Sequence, residues 1–348
     1  MSKYVAYVSS YTQGTDFGIS VFDVDLKNGR LKEKNHVKVS NSSYLTISHN
    51  RGFLYSITDL GVVSFKILSD GELEEVNMQS INGMRGCYLS TSYDDKFLFV
   101  AGYHDGKITA LKINDDGSVG DICDEIYLKG MGSLAERNFR PHVGCVKMSR
   151  DDKYLFAADM GMDHVNVYSL NKLTGKLKLV DILRSEEDSA PKHIKTSKDG
   201  KYIYVVHEIK CYIDVYSYEL SDNQIPQFEK IQTITTTNDY HTSSTAACAL
   251  NVSEDFKYIV SSNAGDNSAV MYSVNDDGTL NKLFCLPISG EYPKDATLFP
   301  QNKFLVSLNH ESDTMTFFSV DVEKGTIVMN GPEMKIVKPN CIIFHKIK

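Results

Sequence analysis

Short apolar runs and polar turns alternate along the whole chain, and the clearest copy of the unit lies between Arg137 and Asp159. There an apolar run, Val143-Gly-Cys-Val-Lys-Met148, meets the polar turn Ser149-Arg-Asp-Asp152. Lys153 and Tyr154 follow, then the apolar Leu155-Phe-Ala-Ala158 and the polar Asp159. This pattern predicts two antiparallel strands joined by a tight Asp-containing turn. The aligned aromatic recurs at Tyr4, Phe53, Phe97, Tyr154, Tyr202, Tyr258 and Phe304, at spacings of 49, 44, 57, 48, 56 and 46. After each aromatic comes another strand-like run, such as Val165-Asn-Val-Tyr168 or Ile213-Asp-Val-Tyr216. A glycine turn closes six of the seven copies, at Gly29, Gly71, Gly117, Gly175, Gly278 and Gly325, and the fifth copy has Asn223-Gln-Ile-Pro226 instead.

Seven copies of a four-strand unit at this period predict an all-β chain, a seven-bladed β-propeller with four-stranded antiparallel blades. Residues 3–9 and 18–24 read as the second and third strands of a blade whose first strand is missing. Lys338-Pro-Asn-Cys-Ile-Ile-Phe-His345 matches the openings of other copies, so the C-terminal strand is expected to join the N-terminal blade and close the ring. Residues 1–348 then form a single domain, because a blade cannot bury both faces without its neighbours.

Alternating strand direction puts the start of each first strand and the end of each second strand on one face. Two long polar connectors, residues 128–140 and 236–245, emerge on the same face. The candidate site residues expected there are His142, Asp159, Lys192, His193, His207, Glu208, Asn263 and His310, with Arg137 or Arg140 on a connector. Convergence of polar side chains from several blades points to a small-molecule site.

A chain that is 42% hydrophobic and 24% charged has the composition of an ordinary folded protein, and its net charge of −8 argues against nucleic-acid or anionic-membrane partners. The strand pattern begins by Tyr4, without the charged and apolar regions of a secretory signal. Seven cysteines with no C-x-x-C pair fit reduced thiols in a cytoplasmic protein. The histidines lack a tight ligand spacing, so neither metal nor other cofactor is expected. The absence of tryptophan excludes a Trp-Asp repeat propeller.

Several segments resemble the lactonase family of seven-bladed propellers, which includes 6-phosphogluconolactonases and carboxymuconate-lactonizing enzymes. Asn41-Ser-Ser-Tyr-Leu45, Glu136-Arg137 with Pro141-His142, and Asp159-Met-Gly161-Met-Asp163 carry the likeness, with Ala190-Pro-Lys-His193 and Val206-His-Glu208. Two positions depart from the family pattern: Lys192 and Ala264 stand where the family has arginines. The resemblance implies hydrolysis of a sugar lactone, of 6-phosphogluconolactone type, without a metal. His142 and Glu208 would divide the acid and base roles. Arg137, Lys192, His193, Asp159, Asn263 and His310 would hold the substrate or its oxyanion. The alternatives are a muconate-type cycloisomerase, or a propeller that binds a ligand or protein without catalysis.

Overall fold

The computed structural model describes residues 3–132, 139–238 and 244–347, and among them every regular element is a β-strand. The first sheet holds β1 (Tyr4–Ser10), β2 (Phe17–Asp25) and β3 (Arg30–Lys38). The second is β4 (Leu45–Ile47), β5 (Phe53–Thr58), β6 (Gly61–Ile67) and β7 (Leu73–Ser80). The third is β8 (Tyr88–Thr91), β9 (Phe97–Gly102), β10 (Lys107–Ile113) and β11 (Val119–Tyr127). The fourth is β12 (Val143–Met148), β13 (Tyr154–Asp159), β14 (His164–Leu170) and β15 (Leu177–Arg184). The fifth is β16 (Pro191–Thr196), β17 (Tyr202–His207), β18 (Tyr212–Leu220) and β19 (Pro226–Thr235). The sixth is β20 (Ala246–Val252), β21 (Tyr258–Ala264), β22 (Ser268–Val274) and β23 (Leu280–Pro287). The seventh is β24 (Pro293–Leu298), β25 (Phe304–Asn309), β26 (Thr314–Asp321) and β27 (Thr326–Met329), with the two-residue β28 (Met334–Lys335) also on β26. The last strand, β29 (Pro339–Lys346), pairs with β1 and completes the first sheet, as the sequence predicts. These are the seven antiparallel four-stranded blades of a β-propeller.

All seven aligned aromatics begin a strand, the second of each blade. A serine fixes the preceding turn. Ser149 donates its amide to Tyr154 O at 2.7 Å and accepts the Tyr154 amide on Oγ at 3.0 Å. Its hydroxyl donates to Asp151 Oδ1, and Asp152 closes the turn at φ 54°. Ser48, Ser92, Ser197 and Ser253 make the same pair of bonds to Phe53, Phe97, Tyr202 and Tyr258. The left-handed closing residue recurs as Arg51, Asp95, Gly200, Phe256 and Asn302. The turn is thus longer than a two-residue hairpin, and it pins the register of the two inner strands of a blade.

Contacts divide the chain into two compact units. One comprises Met1–Val24, Leu31–Lys192 and Asn340–Lys348; the other comprises Asp25–Arg30 and His193–Pro339. In the first unit, Val5, Tyr7, Ile19, Val21, Leu45, Leu54, Val63 and Phe65 form a core between the first and second sheets. Tyr55, Ile57, Val62, Leu89, Leu98, Val100 and Leu111 do the same between the second and third. In the second unit, Tyr204, Ile213, Val215, Ala247, Ile259 and Val270 pack the fifth sheet on the sixth. The sixth meets the seventh through Val260, Met271, Phe284, Ala296, Leu305 and Phe318. Middle strands are therefore buried on both faces, as in β13, whereas the outermost strands, such as β7 and β15, are largely exposed. No helix among the described residues is long and apolar enough to cross a membrane.

Removing everything after Lys338 exposes the edge of β1 and strips Cys341, Ile342 and Ile347 from the core. A chain ending at Lys338 is expected to melt more than about 10 °C below the full chain, since each buried aliphatic side chain contributes roughly 1.5–3 kcal/mol. Thermal circular dichroism checks this, and an unchanged melt would refute the closing role of β29.

Candidate active site

Three residues of the first unit share one spacing from the turn serines. Seven residues before Ser48, Ser92 and Ser149 stand Asn41, Arg85 and His142, each just ahead of its blade's first strand. All three occupy the face on which the second strands end.

His142 is 95% buried and held from three sides. Its amide donates to Asp159 Oδ1 at 2.9 Å, and its carbonyl accepts the Met160 amide at 2.9 Å. The ring stacks on Tyr103, with centroids 4.4 Å apart and planes 19° apart. Nδ1 lies 2.7 Å from Tyr103 O. A carbonyl oxygen only accepts, so Nδ1 carries the ring proton and donates it, and in the neutral ring Nε2 holds the lone pair.

Asp159 is fully buried at the end of β13. Burial raises its carboxyl pKa, against the amides of His142 and Gly161 and the neighbouring His164, which favour the charged form. It therefore acts on the His142 main chain. Gly161 is required here because a Cβ would fall inside the Arg140 carbonyl oxygen. Asp163 organises the next approach. Its carboxylate accepts the amides of Asp188 and Ala190, both at 2.8 Å, and Ala190 at φ 57° leads into Pro191 and Lys192. A Cβ on Gly144 would meet Lys192 O at 3.1 Å, so the half-buried Lys192 starts beside the strand that His142 precedes. The first unit thus brings His142, Asp159 and Lys192 into one neighbourhood. Arg137 lies outside the described residues.

In the second unit, half-buried His193 sits on β16 and half-buried Glu208 just after β17, where the Glu208 carbonyl accepts the Ala247 amide at 2.9 Å. His207, expected at the rim, is instead turned fully inward. Its ring stacks on Tyr212 at 4.2 Å, and Nε2 lies 3.4 Å from Asp214 Oδ2. Burial would raise the Asp214 carboxyl, but hydrogen bonds from His207 and Thr233 outweigh it and bring the pKa below the ordinary value. Asn263 is also fully buried and uses both ends of its amide inside the protein. It accepts the Thr236 hydroxyl at 2.7 Å and donates to Thr236 O at 2.7 Å and Ser268 Oγ at 3.0 Å. His310 donates from Nδ1 to Pro339 O at 3.1 Å. Burial, helped by Lys294 and Lys338, pushes its imidazole down to about 4. Among the described residues no three His, Cys, Asp or Glu side chains are grouped to hold a metal ion.

Sequence reasoning missed Tyr103 as the partner of His142, and it missed Arg85 entirely. Counting back from the turn serines would have found Arg85. Asp163 reads in the sequence only as part of a motif and Asp214 only as part of a strand; their anchoring shows in the amides that Asp163 accepts and the Thr233 hydroxyl and His207 ring that Asp214 meets.

This fold and rim are those of a propeller whose polar groups gather at strand ends. The chain belongs to the family described as Lactonase, 7-bladed beta-propeller, whose model matches residues 5–344. It is 28% identical over 355 residues to the 6-phosphogluconolactonase of Bacillus subtilis (strain 168), covering 100% of both chains. It is 28% identical over 338 residues to the 6-phosphogluconolactonase of Formosa agariphila, covering 92% of this chain and 94% of that one. A solved structure from Bacteroides fragilis superposes with a TM-score of 0.87 at 27% identity, over 99% of this chain and 98% of that one. The periplasmic gluconolactonase of Pseudomonas aeruginosa shares the fold, with a TM-score of 0.91 at 24% identity over 100% of each chain.

His310 titrates near 6.5 when unfolded and about 4 when folded, so the unfolded chain takes the proton first. Its contribution to stability is full above pH 6.5 and is lost as the pH falls toward 4. In urea unfolding, the stability of wild type relative to His310→Gln is expected to drop by about 2–3 kcal/mol between pH 7 and pH 4. A constant difference would contradict a neutral buried ring.

Proposed function

We propose that the chain hydrolyses a sugar lactone of the 6-phosphogluconolactone type, with His142 as general base. The observation that carries the reading is the hydrogen bond from His142 Nδ1 to Tyr103 O, which leaves Nε2 as the proton acceptor. In this reading Nε2 takes a proton from a water that attacks the lactone carbonyl. Lys192, with His193 and Arg137, holds the tetrahedral oxyanion. As the carbonyl reforms, the bond to the ring oxygen breaks, and Glu208 supplies the proton that makes it a hydroxyl. The proton on His142 returns to Glu208 through solvent, and the new carboxylic acid ionises. Asn263 acts by positioning, since both ends of its amide bond to the protein, while Asp159 Oδ1 holds the His142 main chain and His310 Nδ1 holds Pro339 O.

Family membership and the two full-length relatives named 6-phosphogluconolactonase support this reaction class. Ala264, buried at the end of β21, argues against the muconate-type alternative, because it offers no cation to a polycarboxylate. All seven cysteines are free thiols, which supports a reducing, cytoplasmic setting. The reading treats the seven blades as one domain and needs no metal or other cofactor.

Proton release from freshly made 6-phosphogluconolactone, above the spontaneous rate, tests the reading. Wild type should accelerate it, and His142→Ala and Glu208→Gln should each lower kcat/KM by roughly 100-fold or more. Equal rates in all three proteins, or no acceleration by folded wild type, would sink it. Gly161→Ala keeps every candidate side chain yet displaces the Arg140–His142 segment. It should lower kcat by about 10- to 100-fold while the protein remains folded by circular dichroism.

A further inference from the structure

Arg85 occupies in the third blade the position that His142 occupies in the fourth. The segments leading into these blades lie side by side, since the Cys87 thiol donates to Val143 O at 3.3 Å, one residue after His142. The guanidinium is held on two sides. Nη1 donates to Asp59 Oδ1 at 2.9 Å, and the group lies over the Tyr11 ring at 4.8 Å. Asp59 is fixed in turn, its Oδ2 accepting Asn41 Nδ2 at 2.8 Å. Asn41, at φ 44°, accepts the amide and hydroxyl of Thr12 on Oδ1 at 3.0 and 3.2 Å. Residues from the first and second blades thereby hold an arginine of the third on the rim.

This network does little for stability. The Arg85 and Asp59 side chains are 29% and 40% exposed, and ion pairs so open to solvent contribute little to folding. What it accomplishes is orientation. A guanidinium held along one edge and one face keeps its remaining N–H groups aimed in a fixed direction, and the planar fork suits a phosphate or carboxylate.

Resting on the lactonase reading above, we infer that Arg85 is a specificity-determining residue that binds the anionic group of the lactone. The resemblance places cations at 192 and 264, where this chain has Lys192 and Ala264; Arg85 supplies a bidentate cation from another blade.

The test compares kcat/KM for 6-phosphogluconolactone and for glucono-δ-lactone within each protein, a ratio independent of the folded fraction. Arg85→Gln should lower the ratio by roughly 10- to 100-fold, and Arg85→Lys should recover part of it. An unchanged ratio in Arg85→Gln overturns the inference and leaves the lactonase reading standing. If wild type hydrolyses neither lactone, that reading fails, and calorimetry with 6-phosphogluconate and gluconate decides the inference alone. Wild-type binding of the phosphate ester that weakens at least tenfold in Arg85→Gln supports it; binding that is absent or equal in both proteins overturns it.

Discussion

A single turn organises the rest of the molecule: a serine that exchanges two hydrogen bonds with the aromatic residue five positions later. In five blades its amide and hydroxyl lock the first strand to the second. A slip of one residue would turn every core side chain toward the wrong face, so this clamp settles which residues pack and which reach the rim. Asp95 and Asp152, at the left-handed closing position, also tie blades together. Their carboxylates accept the amides of His49 and Asn50, and of Tyr93 and Asp94, in the preceding blade's turn.

The same constraint carries through to chemistry. Asn41, Arg85 and His142 each stand seven residues before a turn serine, each with its own surroundings. His142 meets a stacked tyrosine and a carbonyl, which select its tautomer. Arg85 meets a carboxylate and a ring, which set its direction. Asn41 bonds to Thr12 and to the carboxylate that holds Arg85. Buried Asp159 then braces the main chain of His142, and inward-turned His207 packs against the Tyr212 ring and the Asp214 carboxylate.

Much of the fold was legible because propeller blades repeat. The aromatic after each turn and the glycines of the outer hairpins are local signals, and all seven aromatics begin strands. Gln224, at φ 61°, takes the role of the glycine missing from the fifth copy. The closing strand was legible because its opening repeats those of the inner strands. The site was only partly legible. A sequence places His142 and Glu208 at strand ends, but it does not show which way a ring points. His207 turned inward because Asp214 and Tyr212, on the strand across the hairpin, offer it a partner and a surface. Arg85 escaped notice because no residue type or motif marks it, only its distance from Ser92.

The central claim is that His142 keeps its proton on Nδ1 and offers Nε2 to the reacting water. Nitrogen-15 NMR of histidine-labelled protein, with and without the product 6-phosphogluconate, reads both ring nitrogens directly. The account expects a protonated Nδ1 and a bare Nε2 in the free neutral ring, with Nε2 shifting when product binds. A bare Nδ1, or a ring indifferent to saturating product, would contradict it.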